Sequence, residues 1–187
     1  MEQNLYYIKE YDSPVGKIYI ASDETQIKGL WLEGQKYFQN SIKDKKKTMQ
    51  IQNTHTAEIL KQAEFWLDAY FAGKNPSAES LPLFPDGTPF QQEVWSLLRK
   101  IPYGEVTTYG ALAKEIARRT GKKSMSAQAV GGAVGRNPIS IMIPCHRVVG
   151  AKGNLTGYAG GIDKKVWLLG LEGIDMSGYV YPAKSNL

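Results

Sequence analysis

The chain of 187 residues holds a single cysteine, Cys145, and only two histidines, His55 and His146. One cysteine excludes an internal disulfide and every metal centre built on several cysteines. With two histidines, a zinc site would draw most of its ligands from carboxylates, an uncommon arrangement, so no metal is expected. Also missing is any run of about 18 apolar residues, which leaves no candidate transmembrane helix. Residues 1–10 are polar and mixed in charge, unlike a secretory leader, and the expected location is cytoplasmic. Arginine is absent from the first 87 residues; Arg99, Arg118, Arg119, Arg136 and Arg147 all lie beyond them.

What is present divides in the same way. Residues 1–87 carry 10 lysines against 12 acidic residues, a net of −2, while 88–187 carry 13 basic against 6 acidic residues, a net of +7. Such asymmetry points to an anionic partner for the second half, nucleic acid first, with a solvated basic surface as the plain alternative. At about 150 residues per domain the length allows one domain or two small ones. The Gly-, Pro- and Ser-rich stretch 73–88 coincides with the change of charge and reads as the connection. We place the boundary at Gly87.

In the first half, 5–11, 17–22 and 27–32 read as antiparallel strands, with Ser13-Pro14-Val15-Gly16 as the first turn. The charge run Lys43–Lys47 reads as a solvated face. Ile59, Leu60, Ala63, Trp66, Leu67, Tyr70 and Phe71 keep helical spacing and predict a core-facing helix over 56–72, stopped by Gly73. In the second half, Thr88-Pro89 opens a helix, Thr107 or Thr108 caps another that runs to about Arg119, and Ser126 opens a short one to Gly135. Two such helices in a basic context suggest a helix-turn-helix. The last is slim, with Ala127, Ala129, Gly131, Gly132, Ala133 and Gly135. Each glycine costs about 1 kcal/mol relative to alanine inside a helix, so a close approach is needed to offset it. Either a neighbouring helix or a minor groove only about 6 Å wide would supply one.

Residues 139–144 form an apolar, strand-like run that ends at Pro144; Cys145, His146 and Arg147 follow. A lone cysteine after an apolar run reads either as a small buried hydrophobe or as a nucleophile, which requires a base or a positive charge to favour the thiolate. His146 is adjacent, but neighbouring side chains on a regular strand face opposite ways. Contact with Cys145 therefore needs irregular backbone or a bridging water. The only distant histidine, His55, lies in the acidic half, which argues against a cysteine hydrolase. Glu172, at the end of a helix from about Asp163, is placed unfavourably for the helix dipole and is the candidate to orient His146. Tyr158, in Gly157-Tyr158-Ala159-Gly160-Gly161, is a candidate wall for a flat substrate.

The segment IPCHRVVG (143–150) resembles the active-site signature of the O6-alkylguanine-DNA alkyltransferases, the methylated-DNA–protein-cysteine methyltransferase family. PYGEVTTYGALA (102–113), AVGGAVGRNP (129–138) and GYAGG with the helix to LLGLEG (168–173) extend the resemblance over 88–175. It implies an α+β protein: a ribonuclease-H-like α/β domain over 1–87, then a mainly helical, winged-helix-like DNA-binding domain over 88–187. It implies a monomer that binds the minor groove of double-stranded DNA, flips an alkylated guanine out of the stack and transfers the alkyl group once, without metal or cofactor. O4-methylthymine is a second candidate substrate. By position Cys145 would be the acceptor, activated by His146 through a water and by Glu172, with Asn137 fixing the turn. Tyr109 would donate to the flipped base, Tyr158 would line the pocket, and the backbone at Cys145, Val148 and Ala159 would read the guanine edge. DNA contact falls to Ala127, Gln128, Ala129, Gly131 and Arg136. Gln128 stands where well-known members carry an intruding arginine, and lacks its charge and stacking plane. Ser140 and Ala159 replace a proline and a serine of some relatives. Arg118, Arg119, Lys122 and Lys123 lie in a stretch, 114–125, that looks longer than in short relatives and suggests extra phosphate contacts. The alternatives are a lesion-binding relative that does not react, a regulator that senses alkylation at Cys145, and a cysteine hydrolase, which would need a water able to reach an acyl-sulfur intermediate.

Overall fold

The structure, a computed structural model, describes residues 6–39 and 54–182. Leu5 and the run Lys43–Lys47 lie outside the described residues. The chain forms two compact units. The first comprises the residues up to Gly87 together with Pro138–Met142; the second comprises Thr88–Asn137 and the residues from Ile143 onward.

In the first unit β1 (Tyr7–Ser13), β2 (Gly16–Ser22) and β3 (Ile27–Leu32) form an antiparallel sheet in that order. Ser13 pairs with Gly16, leaving Pro14-Val15 as a two-residue turn, and Gly16 takes the positive φ that ends it. Ile18 and Ile20 of β2 are fully buried. α1 (Thr54–Phe71) packs on β1 and β2 through the predicted apolar face, and Gly73, at φ 72°, stops it.

β3 is buried along its whole length because its outer edge is covered. Ile27 bridges Leu83, and Leu30 bridges Ile139, both in parallel sense. Leu30 N donates to Pro138 O and Ser140 N to Leu30 O, each at 2.8 Å. The Ser140 hydroxyl adds a bond to Gln35 Oε1 at 2.9 Å. A proline at 140 would remove both Ser140 donors.

The strand expected over 139–144 is not there. Ile139 makes its single bridge, and the chain then turns about Ile141, at φ 68°, with Met142 N donating to Ser140 O at 2.8 Å. Ile139, Ile141, Met142 and Ile143 are all buried. An apolar run reports burial rather than extension, and Pro138 and Pro144 deny the segment backbone donors at both ends.

The second unit contains α2 (Pro89–Leu98), β4 (Thr107–Thr108), α3 (Tyr109–Arg119), α4 (Ala127–Gly135), β5 (Val148–Val149) and α5 (Ile162–Leu171). Thr88 and Gln91 close a capping box on α2, while Thr108 and Ser126 cap α3 and α4. These three helices pack together, and Trp95 Nε1 donates to Ala133 O at 2.9 Å between α2 and α4. β4 and β5, absent from the sequence reading, pair in parallel and tie the segment after Cys145 to the start of α3. No helix among the described residues is long and apolar enough to cross a membrane.

In β3 the Trp31 ring lies across Gly29, so close that a Cβ at 29 would sit 1.8 Å from ring carbon Cη2. Gly29→Ala is therefore expected to destabilise the protein by about 1–3 kcal/mol through overpacking, read as a lower midpoint in urea unfolding.

Candidate active site

Cys145 opens a single 3-10 turn, Cys145–Arg147. Cys145 N donates to Ile143 O at 2.8 Å and Arg147 N to Pro144 O at 3.0 Å. This turn is irregular backbone, in place of a regular strand, at Cys145 and His146. Buried Asn137, just beyond α4, fixes the approach: its Nδ2 donates to Ile143 O at 2.8 Å and to Cys145 Sγ at 3.1 Å.

Behind the thiol lies a buried charged cluster. His146, with no exposed surface, joins its Nε2 to Glu172 Oε1 at 2.7 Å. Arg147 grips the same carboxylate in a fork, Nε to Oε2 at 2.8 Å and Nη2 to Oε1 at 3.0 Å. Gly104 N donates to Oε2 at 3.3 Å, and Arg147 Nη1 donates to Ile101 O at 2.7 Å. Glu172 is the C-terminal cap of α5. Arg147 and His146 offset the unfavourable dipole that made this position conspicuous in the sequence. In the sequence Arg147 reads as part of the basic half; the structure places it inside, on Glu172.

Burial works to raise the Glu172 carboxyl, but the hydrogen bonds and charges of His146 and Arg147 outweigh it and bring it down to about 2. Burial lowers the His146 imidazole below its ordinary value, against the pull of Glu172. The ring is then neutral near pH 7. A carboxylate only accepts, so Nε2 carries the proton and Nδ1 is left with a lone pair.

Two further groups converge on the carbonyl of Thr156. Tyr109, the first residue of α3, donates its hydroxyl to Thr156 O at 3.1 Å, and Lys165 Nζ donates to Thr156 O at 3.3 Å and to Val148 O at 2.5 Å. Burial, with the charge of Cys145 second, pushes the Tyr109 phenol up to about 12. Burial brings the Lys165 ammonium down to about 8, while Cys145 acts the other way. Lys165 was missed in the sequence. The signal was the spacing Lys165, Leu168, Leu169, Glu172, which places it on the buried stripe of α5.

Tyr158 is nearly buried and meets the His146 ring edge-on at 6.5 Å; Ala159 follows it, half-buried. Val148 is buried in β5. On α4, Ala127, Gln128 and Ala129 are exposed, as is Arg136 beyond its end, whose Nη1 donates to Gly132 O at 3.3 Å. Gly131 is half-buried and faces the Tyr109 ring, which a Cβ would approach to 3.6 Å. The slim helix thus serves internal packing through Gly131 and presents a low, exposed surface at its start. Among the described residues no cluster of three or more potential ligands could hold a metal ion.

The geometry defines a class first: a lone buried thiol, next in sequence to a buried histidine–carboxylate pair, within a helix-turn-helix unit. Comparison with known proteins makes the class specific. Residues 89–174 match the DNA-binding domain, and residues 5–85 the ribonuclease-like domain, of 6-O-methylguanine DNA methyltransferase. The methylated-DNA–protein-cysteine methyltransferase of Methanosarcina acetivorans is 45% identical, with 89% of this chain and 98% of that protein aligned. That of Haemophilus influenzae is 41% identical over 91% of this chain and 87% of its own length. The crystal structure of Mycobacterium tuberculosis OGT in complex with DNA aligns with a TM-score of 0.70 at 39% identity, covering 89% of this chain and 91% of that one. The chain belongs to the 6-O-methylguanine DNA methyltransferase family.

Glu172→Gln would leave the Arg147 guanidinium buried without its counter-charge, and should cost about 3–5 kcal/mol in chemical unfolding. Because the Glu172 carboxyl is depressed in the folded protein, its contribution is complete above the ordinary carboxylate value of 4.5 and is lost as pH falls toward about 2. Unfolding midpoints across that window should therefore fall in the native protein and fall less in the variant.

Proposed function

We propose that the protein repairs DNA by moving the alkyl group of O6-alkylguanine onto Cys145, once per molecule. The observation that carries this reading is the Cys145 thiol, held at 3.1 Å by Asn137 in the turn that also bears His146 on Glu172. The Cys145 proton passes to His146 Nδ1 through a bridging water, and Glu172 stabilises the imidazolium that forms. The thiolate attacks the alkyl carbon from the side opposite O6. The carbon–sulfur bond forms, the carbon–O6 bond breaks with its electron pair left on the base, and the guanine anion takes up the proton held by His146, returned through water. Tyr109 stays protonated at neutral pH; its hydroxyl, which donates to Thr156 O in the free protein, would turn its one proton to the leaving base. The product is a thioether. No second cysteine exists in the chain to accept the group, so the protein is consumed. The same attack is open to O4-methylthymine, whose methyl carbon is likewise bound to an exocyclic oxygen of the base.

Residues 88–187 would bind the DNA and carry out transfer, with 1–87 as the ribonuclease-like domain. The exposed start of α4, with Ala127, Gln128 and Ala129, would enter the minor groove, whose width suits a helix with short side chains; Gly131 and Arg136 follow along it. The target base would be flipped, since its O6 substituent cannot be reached in the stack. Tyr158 would stack on it while the backbone of Val148 and Ala159 reads its edge. Lys165 and Asn137 are positioning residues that hold the pocket walls. All these residues come from one chain, so a monomer suffices.

Intact mass after mixing with duplex DNA containing O6-methylguanine should rise by one methyl, saturate at one per protein and map to Cys145. Lesion-selective binding without mass gain would instead make this a binding protein; neither binding nor transfer would sink the assignment. Cys145→Ala should bind and not react. His146→Ala should slow single-turnover transfer by about 10²–10⁴-fold, the range of a general base.

A further inference from the structure

The end of α3 and the turn into α4 bring Arg118, Arg119, Lys122 and Lys123 together within six residues, just before the exposed start of α4. Two of these cations are not available as they stand. Glu115, one turn back on α3, grips Arg118 in a fork, Oε2 to Nε and Oε1 to Nη2, both at 2.8 Å. The same Oε1 accepts from Arg119 Nε at 2.8 Å, while Arg119 Nη1 reaches Glu93 on α2 at 3.0 Å. The two arginines differ in what holds them. Arg119 is anchored from two helices and only 26% of its side chain is exposed; Arg118 is held by Glu115 and is 72% exposed. The hydrogen bonds from Arg118, then Arg119, bring the Glu115 carboxyl down to about 2, so it is an anion at any pH at which DNA is bound.

We infer that Glu115 competes with DNA phosphate for Arg118, so that the protein holds one potential phosphate contact in check and binds undamaged duplex more weakly than its basic surface would allow. The inference rests on the DNA-repair reading above. A fork made with a carboxylate is the same fork that an arginine makes with a phosphate. The consequence is on search: undamaged DNA is the dominant competitor, and each additional phosphate contact strengthens that competition uniformly across sequences.

The test is the salt dependence of binding to an undamaged duplex, for the full-length protein. With Glu115→Gln, the slope of log K against log salt should steepen by about 1, and affinity near 0.1 M salt should rise about five- to ten-fold, the effect of one further phosphate. Arg118→Gln alone should change the slope by well under 1, whereas adding it to Glu115→Gln should erase the gain. An unchanged slope or weaker binding in Glu115→Gln overturns the inference. So does a full unit of slope lost in Arg118→Gln alone, since the arginine would then already sit on phosphate; this arm stands even if Glu115→Gln fails to fold. If the native protein binds no duplex at low salt, the DNA reading itself fails and takes this inference with it.

Discussion

The arrangement of the second unit depends on one buried carboxylate. Glu172 ends α5 and accepts from His146, from both arms of the Arg147 fork and from Gly104 N. An unpaired carboxylate at that depth would be protonated or would prevent folding; with these partners it remains charged. Three separate parts of the chain are fixed by it: the turn that bears Cys145, the Tyr103-Gly104 bend and the end of α5. The group that sets the tautomer of the histidine is therefore also the group that closes the domain. Orientation of the His146 ring and stability of the fold have the same physical source.

Around Cys145 the constraint is backbone geometry. Pro144 halts the apolar segment, Asn137 captures Ile143 O, and the next three residues close into a 3-10 turn. That turn places Cys145 and His146 in consecutive positions without the opposed directions of a strand. The parallel pairing of β4 with β5 then ties Val148 to Thr107, two residues before Tyr109. Thr156 O receives both the Tyr109 hydroxyl and the Lys165 ammonium. These bonds join segments far apart in the chain and set the Cys145 turn, the Tyr158 loop and the start of α3 in one frame.

The charge asymmetry of the sequence also takes on detail. The second half carries a net +7, but its arginines are not equivalent. Arg147 is internal, bound to Glu172 and stacked near the Tyr103 ring at 5.7 Å. Arg119 links α2 to α3 through Glu93, and Arg118 is held by Glu115. Lys122 and Lys123 are exposed. Net charge reports the sign of the partner; only the pairing shows which cations are committed elsewhere.

Periodicity, caps and glycine stops are local signals, and they make the sheet over β1–β3, the helix α1 and the capped starts of α2, α3 and α4 legible without a fold. The sequence also marked Cys145, His146 and Glu172 as candidates: a lone cysteine beside a histidine and an acid misplaced on a helix dipole are visible without a fold. Tertiary structure decided the rest. Whether 139–144 was strand or turn was not legible, since apolarity encodes burial and not φ and ψ. The joining of Glu172 to Arg147 and of Lys165 to Val148 O spans 25 and 17 residues, a separation at which no local pattern specifies a partner. The burial of Arg147 and Lys165, against the usual exposure of cations, follows from acceptors that only the folded chain brings within reach.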